Sequence, residues 1–99
     1  MTYIEIYTKD WCGYSQRAKA LLNANDLDFN EIDVTHDALA EREMIQRSGR
    51  TSVPQIFIDG IHVGGADELF ALDASGELDL LVGRHISGRA DAVRDAALG

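Results

Sequence analysis

The only cysteine of this 99-residue chain, Cys12, is the residue whose type offers the most chemistry. A single cysteine cannot form an internal disulfide, so its thiol is a buried apolar group, a metal ligand or a reactive nucleophile. Three of the six Lys and Arg residues among positions 1–83 lie within seven positions of it: Lys9, Arg17 and Lys19. Positive charge stabilises a thiolate and attracts anionic ligands. The bases favour a reactive thiol, whereas a lone cysteine is more often a buried hydrophobe, and the residues alone leave both interpretations open.

The overall composition limits the classes of protein to which the chain can belong. Its length suits one domain, and 45% hydrophobic and 26% charged residues are typical of a globular protein. No apolar run approaches the roughly 20 residues of a membrane span, and the first five residues lack the basic start of a secretory signal. We therefore expect a cytoplasmic protein that binds no membrane. A net charge of -8 also opposes binding to nucleic acid.

The first half of the chain predicts two strand–helix units. Residues 3–8 alternate between apolar and polar types as a strand does, and the segment from Tyr14 to Asn23 has an apolar stripe at helical spacing. The same two patterns recur over 29–34 and 38–46, and Gly49 follows the second helix. Cys12 therefore lies at the turn between the first strand and the first helix.

The second half predicts a β-hairpin followed by helix. Asp59-Gly60 lies between two β-rich runs and is typical of a tight hairpin turn. Acidic residues in the first turn of the next segment are typical of a helix N-terminus. The predicted elements are strands over 53–58 and 61–63, a helix over 66–73, and a short helical turn containing Leu78, Leu80, Leu81 and Val82.

The order β-α-β-α-β-β-α predicts an α/β protein of the thioredoxin-like fold. Its four-stranded mixed β-sheet would be flanked by helices on both faces, with a parallel first pair and an antiparallel hairpin. We predict a domain over residues 1–83 and a C-terminal extension over 84–99 that forms either a short helix or a frayed tail. Its three arginines and two aspartates give the extension a small positive charge.

The only proline, Pro54, lies near the start of the third predicted strand. Proline is tolerated at the first residue of a strand because its missing N–H removes no interior ladder bond there. With a trans peptide bond Pro54 would simply begin the strand, whereas a cis bond would present the backbone of Val53 to a ligand. The sequence leaves both open.

Four motifs in register resemble those of glutaredoxins, and the likeness covers residues 1 to about 82. The active-site motif of that family, Cys-x-Tyr-Cys, is matched by Cys12-Gly13-Tyr14-Ser15, with Lys9 three positions before the cysteine. Its Thr-Val-Pro and Gly-Gly-x-Asp motifs are matched by Ser52-Val53-Pro54 and Gly64-Gly65-Ala66-Asp67. The small bacterial glutaredoxins usually numbered three are particularly similar.

The resemblance implies glutathione as the ligand and co-substrate. Cys12 would be the catalytic nucleophile, its thiolate favoured by Lys9 and by the unpaired N–H groups of the helix N-terminus. Lys9 would also attract the glycine carboxylate of glutathione, and the backbone of Val53 would pair with its cysteinyl part. Asp67 would accept from the γ-glutamyl ammonium. The other predicted glutathione-binding residues are Tyr14, Ser52, Pro54, Gly65 and Ala66.

Ser15 departs from the family pattern, because dithiol members carry a second cysteine at this position. A hydroxyl cannot attack a disulfide, so the resemblance implies a monothiol mechanism in which Cys12 reduces glutathionylated proteins or small mixed disulfides. We expect a glutathione–disulfide oxidoreductase that is a monomer, with glutathione and glutathionylated proteins as its partners and no metal.

Two alternatives belong to other functional classes. Glutaredoxins with a Cys-Gly-Phe-Ser site hold a [2Fe-2S] cluster between two protomers, each giving its active-site thiolate with a glutathione, so Cys12 would then be a metal ligand. The segment 49–54 resembles the oxidoreductase branch instead and favours the enzyme. The other alternative is a glutathione-binding domain without turnover. The three histidines lie far from the cysteine motif in sequence and give no support to a Cys–His metal site.

Overall fold

The computed structural model describes residues 2–83, and the predicted extension 84–99 lies outside them. Strands and helices follow the predicted order, and the predicted short helical turn at the end of the domain forms the last helix. None of the helices in the described part is long and apolar enough to cross a membrane. The elements are β1 (Ile4–Thr8), α1 (Gly13–Ala24), β2 (Asn30–Asp33), α2 (Ala38–Ser48), β3 (Gln55–Ile58), β4 (Ile61–Gly64), α3 (Ala66–Ser75) and α4 (Glu77–Leu81).

The four strands form one mixed sheet in the order β2-β1-β3-β4. β1 pairs in parallel with β2, whereas β3 is antiparallel to both β1 and β4. The crossover through α1 makes the parallel pair, and the Asp59-Gly60 turn makes the antiparallel one, with positive φ at both residues. The predicted thioredoxin-like sheet with helices on both faces is confirmed.

Alternation along the strands divides the core between the two faces of the sheet. Ile4 and Ile6 of β1 point to one face, while Tyr7 points to the other. The first face carries α1, α3 and α4, through the buried residues Ala18, Leu22, Leu69 and Leu78. The second face carries α2, whose Met44 packs with Tyr7, Val34 and Phe57. Helices α1 and α2 therefore lie on opposite faces, with β1 between them.

The start of the third strand differs from the prediction. β3 begins at Gln55, so Val53 and Pro54 belong to the preceding loop, and the Val53–Pro54 peptide bond is cis. Pro54 has no N–H to give to a sheet ladder, and the Gln55 side chain donates back to the Ser52 carbonyl at 3.0 Å. The loop before β3 is thereby tied to the strand that follows it.

Candidate functional site

Cys12 is the N-cap of α1, directly after the loop that leaves β1. Its backbone is extended, its N–H donates to the Lys9 carbonyl at 3.2 Å, and its own carbonyl accepts from the Gln16 N–H at 3.2 Å. The side chain is 8% exposed, and the sulfur lies 3.7 Å from the carbonyl oxygen of Val53. A thiol at this position lies beside the first-turn N–H groups of α1, which have no partner within the helix.

The surroundings of Cys12 favour its thiolate. Burial alone would raise the pKa of the thiol, but the nearby donors of Ser15 (its N–H and its hydroxyl) and the Tyr14 N–H favour the thiolate and lower the pKa. Lys9 adds a smaller attraction through its charge. The net effect holds the pKa of Cys12 below that of an ordinary cysteine, as expected for a nucleophilic thiol at a helix N-terminus.

Ser15 contributes more to the site than the sequence indicated. Its side chain is fully buried, and its oxygen accepts from the Lys9 N–H at 3.4 Å, which leaves the hydroxyl hydrogen free to donate to the Cys12 sulfur. We expected this residue only to lack the chemistry of a second thiol. The spacing in the sequence could have indicated this role, because a side chain three positions after an N-cap residue can reach back to that residue.

An open groove runs between the loop before β3 and the N-terminus of α3. Its lining contains seven of the predicted site residues: Tyr14, Ser52, Val53, Pro54, Gly65, Ala66 and Asp67. Cys12 adjoins this groove through its contact with the Val53 carbonyl. Three separate parts of the chain therefore meet beside one thiol.

Lys9 is the predicted glutathione-binding residue that does not line the groove. Its ammonium nitrogen pairs with a carboxylate oxygen of Glu41 on α2 at 3.3 Å and lies 5.6 Å from the centre of the Trp11 ring. A substrate carboxylate that binds Lys9 must share the ammonium group with Glu41 or replace Glu41.

Arg50 and Glu68 also line the groove, and sequence reasoning missed both. A carboxylate oxygen of Glu68 accepts from the Gly65 N–H at 2.6 Å and from the Arg50 guanidinium at 3.2 Å, and these bonds hold the pKa of Glu68 below its usual value. The spacing of Glu68 three positions after the N-cap Gly65 could have revealed this contact, because a Glu side chain at that spacing can reach back to the N-cap N–H. No local pattern reveals Arg50, because its partner lies 18 positions away.

Gly64 lets this capping arrangement approach β4 closely. Its φ is +130°, and a Cβ atom here would lie 2.9 Å from Cβ and 2.6 Å from a carboxylate oxygen of Glu68. Glycine is therefore required both by backbone conformation and by space.

A second, more apolar groove lies between β4 and the helices α3 and α4. It contains no thiol, and its polar side chains are hydrogen-bonded within the fold: Asp59 to the Tyr3 N–H, His62 to Gln55, and Glu68 as above. Residues 2–83 contain no group of three or more His, Cys, Asp or Glu that could hold a metal ion. The groove beside Cys12 is thus the better candidate for chemistry.

Comparison with known proteins agrees with this choice. The family model described as Glutaredoxin matches residues 4–63. Glutaredoxin 3 of Escherichia coli K12 is 55% identical over 82 residues, which are 83% of this chain and 99% of that protein.

Two solved structures share the fold. The solution structure of a glutaredoxin from Brucella melitensis is 48% identical with a TM-score of 0.75, over 85% of this chain and 91% of that chain. The crystal structure of a buckwheat glutaredoxin–glutathione complex is 25% identical with a TM-score of 0.74, over 81% and 76%. The family match, the identity and the fold agree with a reactive thiol at a helix N-terminus, and the chain therefore belongs to the glutaredoxin family of thiol–disulfide oxidoreductases.

Proposed function

We propose that this protein is a glutathione-dependent monothiol oxidoreductase that reduces glutathionylated proteins and small mixed disulfides. The observation that carries the proposal is that Cys12, whose sulfur lies 3.7 Å from the Val53 carbonyl oxygen beside the groove, is followed three positions later by a fully buried serine and not by a second thiol. The hydroxyl stabilises a thiolate but cannot replace one as a nucleophile. A single reactive sulfur beside a peptide-sized groove suits exchange with one glutathione at a time.

The groove offers complementary groups for each part of glutathione. The N–H groups of the first turn of α3 suit the γ-glutamyl carboxylate, and the Asp67 carboxylate suits its ammonium. The backbone of Val53, which is 3.7 Å from the Cys12 sulfur, suits the cysteinyl part as an added strand would. Lys9 would take the glycine carboxylate in exchange for Glu41. Tyr14, Ser52, Pro54, Gly65 and Ala66 would form the walls.

The reaction proceeds in two exchange steps. The Cys12 thiolate attacks the glutathione sulfur of a mixed disulfide, the original sulfur–sulfur bond breaks, and the substrate leaves as a thiolate that takes a proton from water. Cys12 is then joined to glutathione. A second glutathione thiolate attacks the bound glutathione sulfur, which releases the Cys12 thiolate and forms oxidised glutathione. Each turnover thus consumes one free glutathione, forms one oxidised glutathione and needs one enzyme thiol.

Glutathione-coupled reduction of a small glutathionylated disulfide tests this proposal. We expect turnover by the native chain, none by Cys12→Ser, and retained turnover by Ser15→Cys, which should also gain reduction of internal protein disulfides. Turnover that survives Cys12→Ser would contradict the role of the thiol. Absence of turnover by the native chain together with turnover by Ser15→Cys would contradict the monothiol mechanism.

A second candidate function is to hold a [2Fe-2S] cluster between two copies of the chain. A side chain at Gly13 would meet no atom within 4 Å, so the surface next to Cys12 is open to another protomer. Each described chain offers one thiolate and no further set of ligands, so two glutathione thiols would have to complete the four sulfur ligands.

Anaerobic reconstitution with iron, sulfide and glutathione distinguishes the two functions. A coloured dimer that Cys12→Ser abolishes would support the cluster. A colourless monomer that turns over the mixed disulfide would reject it. We propose the enzymatic function, with the protein acting as a monomer in the cytoplasm, where reducing conditions keep such a thiol free.

A further inference from the structure

Three side chains form an exposed rim beside Cys12, which we call the thiol rim: Trp11, Tyr14 and Arg17. Trp11 is 71% exposed and Tyr14 is 56% exposed, although aromatic rings of this size are usually at least half buried. Apart from the contact with Lys9, a tryptophan exposed to this degree adds little to the stability of the fold. Exposed aromatic and arginine side chains are characteristic of surfaces that contact another protein.

Arg17 carries a charge that no carboxylate of the described chain neutralises. Among residues 2–83, every Lys and Arg other than Arg17 and Arg42 lies within 4.0 Å of an Asp or Glu oxygen. The Arg17 guanidinium instead lies 5.5 Å from the centre of the Tyr14 ring. Stacking holds the cation over the ring but leaves its N–H donors free for an anion.

Tyr14 separates two depressions in the surface. One of its sides lines the groove proposed for glutathione. The other lines a small hollow formed by Gly13, Tyr14 and Arg17. When glutathione occupies the groove, the protein to which it is attached must lie against neighbouring surface. The hollow is the neighbouring surface that offers an unpaired cation.

We propose that the thiol rim contacts the protein part of a glutathionylated substrate and that Arg17 selects substrates with an acidic residue next to the modified cysteine. This inference rests on the function proposed above. A chain with net charge -8 repels acidic partners over most of its surface, so one free cation beside the thiol has a large influence on which segment can approach it.

Two glutathionylated peptides test the inference, identical except for Asp or Lys on either side of the cysteine. We expect the native chain to have a kcat/KM about threefold higher for the acidic peptide, a ratio typical of one exposed charge pair. Arg17→Glu should abolish or reverse the preference, and high salt should reduce it in the native chain. Arg42→Glu is the matched control, because it makes the same charge change at the other unpaired arginine, on the opposite face of the sheet.

A small glutathionylated disulfide without a peptide separates this inference from the proposed function. Arg17→Glu should turn it over as the native chain does, since no protein part reaches the hollow. Equal loss of peptide preference in Arg17→Glu and Arg42→Glu would overturn the local role of Arg17 in favour of net charge. The absence of any preference in the native chain would overturn it as well. Failure of the native chain to turn over the small disulfide would instead overturn the proposed function.

Discussion

At the scale of single residues, the chemistry depends on the hydrogen-bond donors that Ser15 and the first turn of α1 offer to the Cys12 sulfur. Burial of Cys12 opposes ionisation, and hydrogen bonds from Ser15 and Tyr14 outweigh it. Lys9 contributes least, and its ammonium group is paired with Glu41. The short-range donors of the helix N-terminus, rather than the nearby bases, are therefore the main cause of the lowered pKa.

We expect Ser15→Ala to raise the pKa of Cys12, since the change removes the hydroxyl that donates to the thiolate. The absorbance of the thiolate in the near ultraviolet, followed against pH, reports the midpoint directly. Because the thiolate is the attacking form, the rate of exchange should rise with pH through the same midpoint and shift with it. Ser52→Ala removes an exposed groove hydroxyl and should leave the midpoint unchanged. An unshifted midpoint in Ser15→Ala would show that the hydroxyl does not bond the sulfur.

We expect Asp67→Ala to weaken the use of glutathione about tenfold in KM while changing kcat little, because a charge-assisted hydrogen bond to the γ-glutamyl ammonium is worth about 1.5 kcal/mol. Steady-state kinetics at varied glutathione concentration measure KM and kcat separately. Asp79→Ala, which removes the same charge from α4, is the control. Equal KM values in the two variants would reject the assigned role of Asp67.

Sequence reasoning identified most of the candidate site because its residues occur in short motifs. Cys12, Val53 and Asp67 each lie in a short run that resembles a glutaredoxin motif, and that resemblance implied their roles. Arg50 has no such run, since its interaction with Glu68 depends on where the loop before β3 meets α3. Local patterns cannot predict a partner that only the tertiary fold brings near.

At the scale of elements, the turn between β4 and α3 sets the shape of the groove. Gly64 adopts a positive φ there and packs against the side chain of Glu68, which caps α3 through Gly65. The Asp59-Gly60 turn, in contrast, was predictable from two residues, since its dipeptide matches a known hairpin type. The start of β3 was predicted two residues early, because apolar character alone does not reveal that Val53 and Pro54 lie in the loop.

We expect Gly64→Ala to lower the free energy of unfolding more than Gly60→Ala. Both substitutions incur a positive-φ cost of about 1 kcal/mol, but only the first also places a methyl group against Glu68, at a further cost of about 1–3 kcal/mol. At Gly60 a new Cβ meets no atom within 4 Å. Urea unfolding of the two variants gives the comparison, and equal losses would mean that the Glu68 side chain moves aside without cost.

At the scale of the whole molecule, an acidic protein places three basic side chains around one thiol. Lys9, Arg17 and Arg50 all lie around the candidate site, although acidic residues outnumber basic ones 17 to 9 in the chain. Composition alone only excluded classes of protein, and the sequence showed Lys9 and Arg17 near Cys12 but did not reveal Arg50. The charges of Lys9 and Arg50 are shared with Glu41 and Glu68, so the free cation at the site is Arg17 among the described residues.

We expect a chain ending at Gly83 to retain both turnover of the small mixed disulfide and its free energy of unfolding. The segment aligned with Escherichia coli glutaredoxin 3 makes up 99% of that relative, so a comparable length suffices there for the fold. Denaturant unfolding and the coupled assay, run beside the full chain, make the comparison. A loss in either would assign residues 84–99 to the domain and contradict the predicted boundary.

The intact mass of the protein during exchange tests the monothiol mechanism most directly. The native chain is mixed with a glutathionylated substrate in the absence of free glutathione and is quenched with acid. We predict that Cys12 carries a single glutathione in disulfide linkage and that one equivalent of substrate thiol is released. Free glutathione should then restore the original mass. Release of the substrate thiol without glutathione on Cys12, or attachment of the substrate itself in place of glutathione, would contradict the monothiol mechanism.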